Sequence, residues 1–427
     1  MANSYPHPRR SLRARAFAAT AVLALAAPLA ACGSNDEGGV PTLNLYQFPV
    51  EHMQDVIDRC NQQAAGKYKI VYQVLPRTAD DQRVQMVRRL AAKDDSMDIL
   101  GMDVTWTQEF ASANWIREFT GTDKSDVENG TLPGPLASGE YNDKLYAAPN
   151  NTNVQLLWYR KDLVPTPPKT WAEMIQMSLQ LKQQGKPYQV LTMGAQYEGL
   201  VVLFNSLVAS AGGHVVSDDG KTAVMDAGAL KGLDTMKTFA TAGVTNPSFS
   251  NMIEDDVRHA FQNGEGAFEL NWPYVWASMQ SETPDLAKNV AWARYPGIDP
   301  GTQSITTIGG SNLAVSSYSR YPQLDFEAVK CLRDPESQKY LAINAGQPPS
   351  IESVYNDPEM AKAYPMKDTL LEELKNAAPR PRTPAYQNLS TVVAAELSPP
   401  DSIQPDKTAD SLKKSIQDAI DSKGVLP

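Results

Sequence analysis

The chain is poor in the residues that hold metals or staple small folds. Its four histidines, His7, His52, His214 and His259, are scattered along 427 residues without ligand spacing, so a histidine-based metal site is not expected. Cysteine occurs only at Cys32, Cys60 and Cys331. Positive charge is also short: 39 Lys and Arg face 49 Asp and Glu, a net charge of −10, which excludes holding nucleic acid or an anionic surface by charge alone. No G-x-S-x-G elbow is present. "SDDGKT", residues Ser217–Thr222, has the tail of a phosphate-binding loop, but the earlier glycine would fall at Val215 and no strand leads into it. A polar turn is expected there, with no ATP hydrolysis and no cofactor.

Long hydrophobic runs are missing too. The longest, Ala16–Ala31, has 16 residues, against about 20 for a spanning helix. It follows Arg9, Arg10, Arg13 and Arg15 with no acidic residue, the layout of a secretory signal. Leu29-Ala30-Ala31-Cys32 resembles the bacterial lipobox, in which the signal is cut before a cysteine that then carries lipid. The alternative is a plain signal that leaves Cys32 a free thiol, and the Arg-Arg pair hints weakly at twin-arginine export. The expectation is a signal over 1–31, lipid on Cys32, a flexible tether over 32–40 and a body anchored on the extracytoplasmic face of the cell membrane. Without residues 1–31 the charge is 35 basic against 49 acidic residues, or −14. Cys60 and Cys331 remain as an even pair in an exported chain, which favours a disulfide over two buried thiols.

Beyond the tether, strand and helix alternate. Thr42–Phe48, Tyr68–Leu75 and Met97–Val104 read as strands, separated by helices over Glu51–Ala64 and Asp80–Lys93, the latter with Val84, Val87, Leu90 and Ala91 on one face. "LYAAPNNTNVQLLWYR" is a strand-like crossing. A second alternating series follows: a helix from Trp171 capped by Thr170, a strand over Tyr188–Met193, helices over Leu200–Ala211 and Ala229–Ala242, and the strand in "GEGAFELNWPY". "TTIGGSNLAVSS" reads as a return strand, and the tail is helical and punctuated by proline. The expected fold class is α/β and bilobal, with two parallel-rich sheets flanked by helices and a hinge between them. Lobe 1 is expected over 41–150 and 310–352, lobe 2 over 151–309 and 353–427.

Asp103 ends a strand in "LGMDVTW" and Glu269 lies in "AFELNW". The carboxyl ends of strands line the crevice where α/β sheets bind ligands. With Trp106, Trp272, Tyr274 and Trp276 nearby, two such carboxylates suit either a glycosidase pair or the hydrogen-bond acceptors of a sugar-binding protein. Asn150, Asn151 and Asn153 at the crossing, and Arg380 or Arg382 in the tail, add the amides and guanidinium that neighbouring hydroxyls require. Of the paired tryptophans, one is expected in the core and one at the ligand. A lipid tether and a two-lobe hinge favour binding over catalysis, so the chain is not expected to be an enzyme. A binding protein for a different solute, such as a peptide, is a third reading.

Several stretches, among them "DVTWTQEFA", "TNVQLLWYRKDLV", "EGLVVLFNSLVASAGG", "FELNWPYVWASM", "IGGSNLAV" and "RPRTPAYQNLS", resemble the LpqY-type trehalose-binding lipoproteins of the mycobacterial trehalose-recycling importer, within the extracytoplasmic sugar-binding family. The likeness runs over nearly all of the chain beyond the signal. It implies a type II periplasmic-binding-protein fold, trehalose or a related α-glucoside such as maltose as ligand, and two membrane permease subunits with an ATPase as partners of a monomer. It also implies ligand contacts from Asp103, Asn153, Glu269, Trp272, Gly310 and Arg380, and more loosely from Gln47, Gln82 and Asn151. Gly310 would let backbone approach the sugar closely. Residues 280–305 are shorter than in that group, and Asn150-Asn151 is more polar at the crossing.

Overall fold

The computed structural model describes residues 39–423. The expected signal, the lipid site Cys32 and most of the tether lie outside the described residues. The first alternating series forms β1 (Thr42–Gln47), β2 (Lys69–Val74) and β3 (Ile99–Asp103), with helices Met53–Gln63 and Ala79–Ala91 between them. β4 (Glu140–Tyr141) and β5 (Lys144–Leu145) make a small hairpin, and β6 (Ala148–Asn153) leads almost directly into β7 (Leu156–Arg160). The second series supplies β8 (Gln189–Leu191), β9 (Gly266–Asn271) and β10 (Val290–Ala293), and β11 (Gly309–Val315) is the return strand.

These strands build two principal sheets, in the orders β2-β1-β3-β11-β6 and β10-β7-β9-β8. The fold is α/β and bilobal, as the alternation predicts, but the sheets are mixed rather than parallel-rich. β1 pairs parallel with β2 and β3, whereas β11 runs antiparallel to both β3 and β6. In the second sheet only β8 and β9 are parallel. The physical cause is the crossings: β6 and β11 connect the lobes instead of closing a helix crossover, and only the crossover forces a parallel partner.

Local sequence explains most element ends. Thr78, Thr170 and Asp226 accept from the backbone N–H three residues on, at 3.4, 3.1 and 3.0 Å, and start helices Ala79–Ala91, Trp171–Gln183 and Ala227–Thr241. In helix Ala79–Ala91 the buried stripe is Gln82, Met86 and Leu90, while Val84 is exposed. The expected apolar face shares Leu90 with the buried one but is turned from it by about a third of a turn, since the i, i+4, i+8 spacing of the buried residues keeps one face inward. Helix Glu198–Ser210 is buried nearly all round, with Leu203, Phe204 and Leu207 in the second lobe's main core beside Phe239, Phe268 and Leu270.

Cys60 on helix Met53–Gln63 and Cys331 on helix Pro322–Leu332 form a disulfide, their Cα atoms 5.9 Å apart. It closes the first lobe's helical layer over β1. Residues Ser217–Thr222 form a closed polar turn, Ser217 N–H donating to Thr222 O at 2.8 Å. No described helix is long and apolar enough to cross a membrane.

Candidate functional site

A cavity of about 460 Å³ opens between the two lobes, within the roughly 300–1,000 Å³ usual for small-molecule sites. One wall comes from the first sheet: Phe48 after β1, Asp103 at the end of β3, and Asn151, Asn153, Gly309, Gly310 and Ser311 on β6 and β11. The other comes from the second lobe: Tyr197 and Glu198 at the start of their helix, Glu254, Asp255 and Arg258 on helix Glu254–Gln262, and Trp272 and Tyr274 after β9.

Arg380 joins the walls. It is 5 % exposed, and its guanidinium donates to Asp103 Oδ1 at 2.9 Å and Glu198 Oε1 at 2.6 Å. Glu198 also accepts from Tyr386 OH at 2.5 Å and from the Ser390 hydroxyl. Burial opposes the charged guanidinium, but Asp103, Tyr386 and Glu198 outweigh it and hold Arg380 protonated well above the ordinary arginine range. Burial raises the Glu198 carboxyl, with Arg380 opposing. The cluster is a fixed array of charged donors and acceptors reaching both lobes.

A second array holds the indole. Glu254 accepts from Tyr197 OH at 2.6 Å and is hydrogen-bonded by the Trp272 side chain; burial raises its carboxyl and these bonds lower it. The backbone N–H of Trp272 donates to Asn271 Oδ1 at 2.8 Å. On its far edge the ring meets bare backbone: a Cβ at Gly309 would stand 2.9 Å from Trp272 Cη2. The indole thus lies between Glu254 and the bare backbone of Gly309, a flat apolar face amid carboxylates.

Of the residues expected at a ligand, Asp103, Asn151, Asn153, Trp272, Gly310, Arg380 and Gln82 all line this cavity. Gln82 is 6 % exposed and spends its Nε2 on Arg77 O at 3.0 Å. Asn151 is committed to protein, its Oδ1 accepting from Ser311 N–H at 2.9 Å and its Nδ2 donating to Gln347 at 2.9 Å. Gly310 has φ 122°. A Cβ there would lie 2.6 Å from Asn151 O, so the close approach of β6 already requires glycine whatever the ligand.

Two expected residues are not on the cavity wall. Gln47, 1 % exposed, lies beneath it, where its side chain fills the space beside Gly101. Glu269 is fully buried in the central strand β9, on the face covered by helix Glu254–Gln262. Its Oε1 accepts from Asn271 Nδ2 at 2.8 Å, and Asn271 also holds Glu254 O at 3.1 Å. Burial pushes the Glu269 carboxyl up to about 8, with Asn271 and Arg258 opposing. The correction follows from strand alternation: Glu269 shares a face with Asn271, one layer behind the wall. Trp276 likewise packs away, stacked on Trp158 at 6.3 Å between ring centres, and Trp106 stacks on Phe110 in the first lobe's core.

Sequence reasoning missed Glu198 and Glu254. One signal was available for Glu198, a lone carboxylate opening the apolar run "EGLVVLFNSLV". Glu254 in "EDDVRHA" looks like an ordinary acidic first turn of a helix.

The family model for bacterial extracellular solute-binding proteins matches residues 51–339. A "Probable ABC transporter-binding protein" of Deinococcus radiodurans is 30% identical over 331 residues, 72% of this chain and 75% of the relative. Among solved structures, maltose-bound MalE3 of T. maritima superposes with a TM-score of 0.81 at 28% identity, covering 88% of this chain and 99% of that one. The GacH receptor of Streptomyces glaucescens, solved unliganded and with acarbose, gives 0.77 at 19% identity over 90% and 99% of the two chains, a likeness of fold.

Proposed function

Because this chain belongs to the bacterial extracellular solute-binding proteins, we propose that it is the sugar-capturing component of an ABC importer and that its ligand is trehalose. The observation that carries the sugar is the cavity itself. A fixed indole face lies amid paired carboxylates and a buried guanidinium contributed from both lobes. Indole covers the C–H side of a pyranose, and the charged groups take its hydroxyls with about 1.5–3 kcal/mol each. The LpqY-type motifs support trehalose in particular. Maltose is the second reading, favoured by the likeness to maltose-bound MalE3.

In this reading Asp103, Asn153, Glu254, Trp272 and Arg380 contact the sugar, and Glu269 acts from behind through Asn271. A glycosidase would need Asp103 and Glu269 facing one bond, and Glu269 is not on the cavity wall. Cys32 anchors the chain by lipid, and two permease subunits with an ATPase receive the closed complex. Calorimetry with trehalose, maltose and glucose tests the assignment. Stoichiometric binding of trehalose without glucose release, weakened at least tenfold in Trp272→Ala, is expected. Tighter maltose binding would reassign the ligand, and no heat with any of the three would refute a glucoside receptor.

A further inference from the structure

The lobes also meet at the cavity mouth, through one short stretch of the first lobe. Asp80, in the first turn of helix Ala79–Ala91, reaches the second lobe twice. Its Oδ1 accepts from Gln387 Nε2 at 2.7 Å on helix Tyr386–Leu397, and its Oδ2 accepts from Glu198 N–H at 3.4 Å. Glu198 is the first residue of helix Glu198–Ser210, whose own N-cap residue, Tyr197, makes no side-chain cap. Helix N-termini leave several N–H groups without intrahelical partners and favour a negative charge. Asp80 meets that demand from the opposite lobe. Close by, Arg77 NH1 donates to Asp255 Oδ2 at 3.1 Å, and Tyr274 OH donates to the other oxygen of Asp255 at 3.2 Å.

We propose that residues 77–80 are an interlobe latch, with Asp80 as its working group, that holds the closed form and so governs how fast bound sugar escapes. The contacts differ in weight. Arg77 is 76% exposed in its side chain, where an ion pair is screened and contributes little. Asp80 is partly buried and takes two donors at once, one of them a helix terminus. Gln387, Glu198 and Asp255 all belong to the second lobe, so hinge opening breaks these three contacts together. Capture precedes closure and does not use them; release requires them to break. The latch rests on the sugar reading only in that a sugar provides the kinetic readout.

The test compares wild type with Asp80→Ala, Gln387→Ala and the double variant. Stopped-flow tryptophan fluorescence with trehalose gives association and dissociation rates, and small-angle scattering of the unliganded protein gives its compactness. Loss of a hydrogen bond to a charged group predicts dissociation about tenfold faster in Asp80→Ala, with association unchanged within about twofold. Gln387→Ala, which alters the other lobe, shifts dissociation in the same direction, and the double variant is no faster than Asp80→Ala because the two changes break one contact. Asp80→Ala also enlarges the radius of gyration without sugar. Dissociation and compactness both at wild-type values in Asp80→Ala overturn the latch. Wild type that ignores trehalose while Asp80→Ala still opens refutes the trehalose assignment and supports the latch.

Discussion

Glu269→Gln should change how stability depends on pH, and the size of the change follows from burial alone. The carboxyl is 0 % exposed, and burial lifts it from 4.5 to about 8. Between those values the folded protein keeps a proton on Glu269 that the unfolded chain has released. The unfolded state binds fewer protons there, so this group's contribution to stability falls as pH rises from about 4.5 to 8 and levels off above 8. Each pH unit is worth about 1.4 kcal/mol, so wild type loses about 4 kcal/mol between pH 5 and 8 that the glutamine variant keeps. Glutamine preserves the acceptor for Asn271 Nδ2 and never ionises, leaving Asn271 and Trp272 in place. Urea unfolding of both proteins at pH 5, 6, 7, 8 and 9, followed by tryptophan fluorescence, supplies the comparison. Other buried carboxyls, including Asp325, pushed up to about 7, titrate in both proteins and cancel in the difference. The two should be nearly equal at pH 5 and separate progressively toward pH 8, the variant being the more stable. A stability difference that stays constant across the range would refute the buried, proton-bearing Glu269.

Two further predictions concern the frame. Gly310→Ala forces a Cβ to 2.6 Å from Asn151 O at φ 122°, and should cost about 2–4 kcal/mol in urea unfolding, with near-neutral behaviour contradicting the close β6–β11 approach. The disulfide spans a sequence separation of 271 residues, for which loop entropy sets an upper value of roughly 5–6 kcal/mol. Cys60→Ser with Cys331→Ser should therefore lower the unfolding midpoint markedly in non-reducing buffer, and an unchanged midpoint would show that the cross-link constrains nothing.

The elements were legible where one period dominates. β1, β2 and β3 and the helices between them were legible as elements, though the inward face of helix Ala79–Ala91 was not, and Asp103 was identifiable because the end of a parallel strand has a fixed meaning in α/β sheets. Strand sense was not legible, since β11 has the same hydrophobic run whether it lies parallel or antiparallel to β3. Glu269 misled for a related reason. A carboxylate within "AFELNW" looks functional by type, but which face of β9 points to the cleft depends on where helix Glu254–Gln262 lands, which is a tertiary fact. Glu254 was hidden by the converse: acidic residues in a helix's first turn are ordinary, and only the packing of Tyr197 and Trp272 against this one distinguishes it.

Arg380 shows how little sequence is needed when the backbone is constrained. It stands between Pro379 and Pro381, in a segment outside both alternating series. Each proline fixes its own φ near −65° and disfavours the helical region for the residue before it, so "PRPRTP" cannot coil. Ala378 just ahead of it is bridged to Thr307 beside β11, and Tyr386 just after it begins the helix packed on Glu198–Ser210. A stiff connector pinned at both ends presents one guanidinium at a set height in the cleft, where Asp103 and Glu198 take it from opposite lobes. Both anchors lie on the second lobe, since Thr307 bonds Ser206 at 2.9 Å and Tyr386 bonds Glu198 at 2.5 Å, so the stiff connector keeps Arg380 with Glu198 and leaves Asp103 as the one partner reached across the cleft.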